Sequence, residues 1–216
     1  DLFVRQRTQT INALRAHLAE HGLIAPQGMS NLANIRRLID EAAAEVEPLV
    51  VETAHTYLEQ IDDLSSRILK LEATLKQEAA RTDASSRMMT MPGVGPITAM
   101  AIEAFAPSLC VFRRSRDFAA WLGLVPRQHS TGGKQVLGRT SKMGQRDIRR
   151  LLIIGAMSVI RWATRKGTTP GTWLHSILLR KPRKVAAIAL ANKMARTLWA
   201  METRKVDYRD PRLTAA

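Results

Sequence analysis

The stretch Tyr57-Leu58-Glu59-Gln60-Ile61-Asp62-Asp63-Leu64-Ser65-Ser66-Arg67-Ile68-Leu69-Lys70-Leu71-Glu72-Ala73-Thr74-Leu75 decides how the first part of this chain folds. Tyr57, Ile61, Leu64, Ile68, Leu71 and Leu75 follow one another at intervals of four, three, four, three and four residues. That repeat holds one apolar seam along one side of a helix. Asp62, Asp63, Arg67, Lys70, Glu72 and Lys76 fall on the outer faces, where water solvates them. A helical hairpin or coiled coil is predicted, with a spacing or association role and no chemistry of its own. The seam can close on a helix of the same chain or on a second copy, and a homo-oligomer through this arm is expected.

Upstream of the seam, Leu2, Ile11, Leu14 and Leu18 recur at helical spacing and predict a first helix near 2–21, with Gly22 where it stops. Gly22 to Ser30 reads as a loop through Pro26 and Gly28. Leu32, Ile35, Leu38 and Ile39 resume a helical face, and Pro48 predicts a kink or break. Downstream the character of the chain changes. Residues 1–87 hold 10 Lys and Arg against 13 Asp and Glu, a net −3; residues 88–216 hold 23 against 6, a net +17. Two domains are therefore expected: a helical connector over 1–87 and a basic domain over 88–216. A field of that sign favours a polyanion partner, and with 5% aromatic residues backbone binding is favoured over a stacking platform for single strands. The bland alternative is a basic surface that serves solubility alone.

The remaining composition excludes several classes. In 216 residues, 45% hydrophobic content supports a core, which excludes disorder throughout. One cysteine, Cys110, cannot form an internal disulfide, so a stapled secreted scaffold is excluded and a reducing, cytoplasmic setting is expected. The longest apolar run, Leu151 to Ile160, stops at Arg161, at about half the ~20 residues a membrane span needs. A soluble protein without a membrane partner is expected. The chain opens Asp1-Leu2-Phe3-Val4 with neither an initiator methionine nor a signal peptide, which reads as a truncated or processed start.

Within the basic domain, Met88 to Ala99 fits the hairpin of a helix-hairpin-helix element. Gly93 and Gly95 allow a tight turn and a close approach to a phosphate, whose oxygens can accept from amides of a helix beginning near Pro96. An ordinary tight turn is the competing reading, and the neighbouring charge favours the nucleic-acid contact. Ser115 can cap a helix through Trp121, and Gly123 can end it. From Arg113 to Arg150 there are 10 Lys and Arg against 2 Asp and Glu, or +8 in 38 residues. The glycine-punctuated stretch from Val125 to Gly144 reads as a functional loop, with a short hairpin turning at Gly132-Gly133. Ile148, Leu151, Leu152, Gly155, Val159 and Trp162 then define a buried helix whose first turns carry Arg146, Arg149 and Arg150. A short helix is expected over Trp173 to Leu179, and Val185, Ile188, Ala189, Met194, Leu198 and Trp199 mark a last one. The tail from Asp207 is expected to be loose. With few β-branched runs, the chain reads as mainly α.

Four blocks in order carry a family resemblance: Met91 to Gly95, Phe118 to Gln128, Ser130 to Lys134 with Leu137 to Gly144, and Arg149 to Leu152. In them the chain resembles the transposases of insertion sequence family 110 (the 110/116/902 group) over nearly its whole length. The resemblance implies a DNA recombinase with an N-terminal RuvC-like domain carrying an Asp-Glu-Asp-Asp metal site, a coiled-coil connector, and a C-terminal domain with a serine nucleophile. It also implies DNA as substrate and a structured guide RNA encoded by the element. On that resemblance the chain reads as beginning in the connector, and the RuvC-like domain is expected to lie outside it. Mg²⁺ is implied only for that domain, and no cofactor or metal is expected in this chain. Counting back from Ser141-Lys142 places the family nucleophile on Ser130, whereas counting forward from Pro126-Arg127 places it on Thr131. Ser130 is preferred because a primary hydroxyl is less hindered. Without the resemblance it would be a turn residue. Arg127, Lys134, Arg139 and Lys142 could stabilise charge on a phosphate under attack. His129 lacks an evident carboxylate partner and is taken as a phosphate or solvent contact.

Three functions compete: the C-terminal part of a transposase, a catalytically inactive truncated nucleic-acid-binding module, and an assembly piece whose heptads pair copies. Without the metal domain, the fragment alone is expected to be inactive.

Overall fold

The computed structural model describes residues 1–129, 131–134 and 136–210. Among them, nine α-helices and one two-stranded sheet make the chain mainly α. Packing divides it into two compact units, the first ending at Thr74 and the second starting at Leu75. The change of charge falls later in the sequence, at 87/88.

The first unit holds α1 (Leu2–Glu20), α2 (Leu32–Ala42) and most of α3 (Pro48–Arg81). Helix α1 stops where glycine predicts. Gly22 takes φ +80°, and the amides of Gly22 and Leu23 close onto the carbonyls of Ala19 and Leu18. Pro48 starts α3, at the one helical turn where a missing N–H costs nothing. The three helices bury one core: Ile11, Leu14 and Leu18 of α1, Ile35 and Ile39 of α2, and Ala54, Leu58 and Ile61 of α3. Helices α1 and α3 run antiparallel. Arg7 near the start of α1 donates to Ser65 Oγ at 3.3 Å, and His17 near its end lies 3.2 Å from the Val50 carbonyl. Helix α2 is tied on by Arg36, whose Nη2 reaches both carboxylate oxygens of Asp62 at 2.6 and 2.8 Å.

Along the seam, Ile61, Leu64 and Ile68 are buried and Leu71 is 49% exposed. Leu58, one residue after Tyr57, takes the core position at the seam's start. Leu64 lines a shallow cavity with Phe3, Gln6 and Thr10 of α1. Leu64→Asp would put a carboxylate at a site that is 7% exposed, beside Arg67, whose guanidinium is already paired with Asp63 at 2.9 Å. A cost of about 2–5 kcal/mol is expected, lowering helicity and the melting temperature of the first unit. Unchanged thermal unfolding followed by circular dichroism would contradict this packing.

The second unit contains α4 (Asp83–Met89), α5 (Pro96–Phe105), α6 (Ser115–Trp121), β1 (Pro126–Gln128), β2 (Leu137–Thr140), α7 (Arg146–Lys166), α8 (Trp173–Arg180) and α9 (Arg183–Arg204). Its core forms where α7 and α9 cross. Ile148, Leu152, Ala156 and Ile160 of α7 meet Ala186, Ala187, Ala191, Met194, Ala195 and Leu198 of α9. The alanines keep the buried face of α9 low, so the two helices can approach closely. Phe118 and Leu122 are fully buried beside them, and Phe112, Phe118 and Trp121 pack ring against ring at 5.3–6.1 Å. Trp199 satisfies its buried N–H on the Phe112 carbonyl at 3.0 Å.

Three local readings change in the structure. Ser115 is the first residue of α6, not its cap; the capping contact comes from Asp117, whose Oδ2 accepts the Arg114 N–H at 3.0 Å. The apolar pattern assigned to α9 belongs to two faces, because Met194 and Leu198 are buried whereas Val185 is 47% exposed. The tail is docked as far as Tyr208. Its N–H donates to Thr90 Oγ1 at 2.9 Å, and its side chain packs against the core.

Candidate nucleic-acid interface

The glycine-punctuated stretch forms the predicted hairpin. Strands β1 and β2 pair antiparallel, with a bulge between Pro126 and Gln128. Beyond them the His129 N–H donates to the Val136 carbonyl at 2.8 Å, and Thr131 bridges Lys134. Gly132 and Gly133 both take positive φ, +58° and +79°, which is the two-residue turn whose twist matches a hairpin. Ser130, the candidate nucleophile, and Gln135 lie outside the described residues. Thr131, the neighbouring hydroxyl, is exposed at the mouth of the turn.

What positions the hairpin is its root. Gly123, after α6, and Gly144, before α7, hold their backbones together more closely than any side chain allows. A Cβ on Gly144 would fall 1.9 Å from the Trp121 carbonyl oxygen, and one on Gly123 would fall 2.1 Å from that of Met143. Four hydrogen bonds lock this neck. Ser141 N–H donates to Val125 O at 2.8 Å, Lys142 N–H to Gly123 O at 3.2 Å, Gln145 N–H to Trp121 O at 3.2 Å, and Arg149 Nη1 to Leu122 O at 2.8 Å. The hairpin is thus fixed to the end of α6 and the start of α7.

The predicted cations fall into two groups. Arg127, Lys134, Arg139, Lys142 and Arg146 are exposed, and among the described residues no carboxylate pairs with any of them. Arg127 makes one long contact, 3.4 Å, to the Ser141 carbonyl. Arg149 differs: it is half-buried and commits an N–H to the chain's own backbone. His129 lies over Gly138, where a Cβ would fall 2.7 Å from its ring.

The two glycines of the Met88–Ala99 turn also separate. Gly93, at φ +86°, faces α7: a Cβ there would fall 2.8 Å from the Gly155 carbonyl oxygen, and one on Gly155 would fall 1.9 Å from that of Gly93. Its conformational freedom therefore serves packing. Gly95, preceding α5, has open space beside its Cα. Met91 and Val94 on either side are buried, so the turn is anchored by its own side chains.

An open groove of about 1080 Å³ runs between the hairpin root and α9. Arg139, Thr140 and Lys142 stand on one side; Asn192, Lys193 and Arg196 stand on the other, with Trp173 of α8. Lys193, Arg196 and Trp173 escaped the sequence reading, since they come from separate elements and only the fold brings them to the loop. For the two cations the available signal was the i, i+3, i+4 spacing of Val185, Ile188, Ala189, Asn192, Lys193 and Arg196, which marks a second face of α9; Trp173, on α8, had none. Among the described residues no three His, Cys, Asp or Glu side chains gather into a cation site.

Residues 85–169 match the family model described as transposase IS116/IS110/IS902. Over 95% of its length the chain is 42% identical to a Pseudomonas aeruginosa protein named "Probable family 20 transposase", covering 62% of that protein. It is 34% identical to the transposase for insertion sequence element IS1111A of Coxiella burnetii, over 97% of this chain and 58% of the relative. The transposase for element IS1328 of Yersinia enterocolitica is likewise 34% identical, over 94% of this chain and 60% of the relative. The chain thus spans less than two thirds of the length of these curated relatives.

Proposed function

Because the chain carries a transposase domain of the IS116/IS110/IS902 family, we propose that it is the DNA-holding and strand-breaking part of a transposase. The second unit grips the DNA backbone, and the hairpin presents Ser130 to a phosphodiester. The serine Oγ attacks phosphorus and forms a phosphoseryl ester as the bond from phosphorus to the departing sugar oxygen breaks. The serine proton is lost to solvent or a neighbouring base, and the departing sugar oxygen takes one proton from solvent and leaves as a hydroxyl. Bond energy is kept in the ester for the joining step. A guide RNA from the element and association of copies through the arm belong to the same proposal, as does a carboxylate metal domain elsewhere in the full-length protein.

One observation supports this reading above the rest. The hairpin that carries the Ser130-Thr131 pair is clamped at its root and displays Arg127, Lys134, Arg139 and Lys142 with no carboxylate among the described residues to neutralise them. Cations held there can stabilise the extra negative charge on a phosphorus under attack.

Binding tests it first. Duplex DNA should bind the chain with strong salt dependence, each phosphate contact contributing about −0.9 to the slope of log affinity against log salt. Changing Lys134, Arg139 and Lys142 together to alanine should reduce the slope by about 2.7 and weaken binding alike on different sequences, because isolated cations contact phosphate and not base edges. A slope near zero in the parent chain, or an unchanged slope in the triple variant, would overturn the assignment.

A further inference from the structure

The groove between the hairpin root and α9 has a composition that duplex binding does not need. Its floor is aliphatic: Val185, Ile188, Ala189 and Ala200. Its rim carries four cations, Arg139, Lys142, Lys193 and Arg196, and among the described residues no acidic side chain lines it. Trp173, 40% exposed, lies at its edge with the Lys193 ammonium 4.9 Å from the ring centroid. A duplex keeps its base faces stacked inside and shows phosphates outward, which uses the rim and leaves the floor and the indole without partners. An unpaired strand uses all three, since each nucleotide offers a flat apolar face and a phosphate together.

We propose that this groove seats an unpaired DNA strand, with a base against Trp173 and the aliphatic floor and its phosphates on Lys193, Arg196, Arg139 and Lys142. The inference rests on the strand-breaking reading above, because the wall of the groove is the root of the hairpin that carries Ser130. Strand exchange requires DNA to be unpaired, and the groove gives the unpaired strand a seat on the same unit as the hairpin. The Lys193–Trp173 contact fits this use. An exposed cation–π contact is weak, so a phosphate can draw the ammonium away and leave the indole face to the base. Asn192 does not compete for the strand with its Nδ2, which donates to the Leu124 carbonyl at 3.1 Å and ties α9 to the segment entering β1.

The test is fluorescence anisotropy on the full chain with four labelled probes of equal length: oligothymidylate, the same backbone with abasic sugars, oligouridylate, and duplex DNA. Oligothymidylate should bind more tightly than both the abasic backbone and oligouridylate. Trp173→Ala should weaken oligothymidylate binding about 5- to 150-fold while leaving duplex and abasic binding nearly unchanged, and Trp173→Phe should restore most of the loss. Lys193→Ala with Arg196→Ala should lower the single-strand salt slope by about 1.4, whereas Lys70→Ala, on the exposed face of α3, should not. Equal binding of abasic and base-bearing strands would overturn the stacked seat, and tighter binding of oligouridylate would overturn the DNA assignment. If duplex binding persists and oligothymidylate binding is absent, the groove fails alone; if neither binds, the strand-breaking reading fails with it.

Discussion

Gly144→Ala is expected to unseat the hairpin and to destabilise the second unit by about 3 kcal/mol or more. Two costs act in the same direction. Gly144 has φ +103°, where an L side chain is strained by about 1–2 kcal/mol. Its new Cβ would also stand 1.9 Å from the Trp121 carbonyl oxygen, a backbone atom that cannot swing aside as a side-chain tip could. Overpacking of that kind costs typically 1–3 kcal/mol. Relief requires the chain entering α7 to move away from the end of α6, which breaks the Gln145–Trp121 and Lys142–Gly123 hydrogen bonds of the neck. Thermal unfolding of the variant should show a melting temperature lower by roughly 10 °C or more, by the size scaling for a unit of this length. Nucleic-acid affinity should fall with it, because the hairpin cations lose their fixed position. An unchanged melting temperature would show that the neck yields without cost and does not position the hairpin.

Much of the helical framework was legible because periodicity is a local signal. Leu14 and Leu18, Ile35 and Ile39, Ile61 and Leu64 each lie one helical turn apart, and each is buried. The hairpin was legible for a related reason: two adjacent glycines between short extended runs permit few other turns. Long-range matches were not. Gly144 meets Trp121, Gly155 meets Gly93, and Tyr208 meets Thr90, and no spacing within the chain announces these partners. Arg149 shows the same limit at the candidate site. In sequence it is one more cation beside a basic loop; in the fold it donates to the Leu122 carbonyl and helps hold the neck. Trp173, Lys193 and Arg196 show the converse, since each is unremarkable alone and their meaning comes from sharing a groove. Ser130 rests on the motif and the family likeness.

Ser130→Ala should abolish covalent capture of DNA. A hydroxyl that only binds a phosphate contributes one hydrogen bond to a charged group, about 1.5–3 kcal/mol and so roughly a ten- to 150-fold effect on binding. A nucleophile forms the bond itself, and its removal leaves no adduct to detect. The cations of the hairpin are untouched by this substitution, so binding should persist with its salt slope unchanged. That separation between retained binding and lost chemistry distinguishes a nucleophile from a positioning hydroxyl. Thr131→Ala is the matched control, because Thr131 is exposed at the neighbouring position and bridges Lys134 through backbone geometry that alanine can keep.

The most direct measurement uses a chain extended to the length of its relatives, supplied with the element's RNA, Mg²⁺ and a labelled DNA end, and denatured before electrophoresis. If Ser130 is the nucleophile, a protein–DNA adduct that survives denaturation is expected in the parent and in Thr131→Ala and is absent in Ser130→Ala. An adduct retained in Ser130→Ala and lost in Thr131→Ala would contradict it and move the nucleophile by one residue.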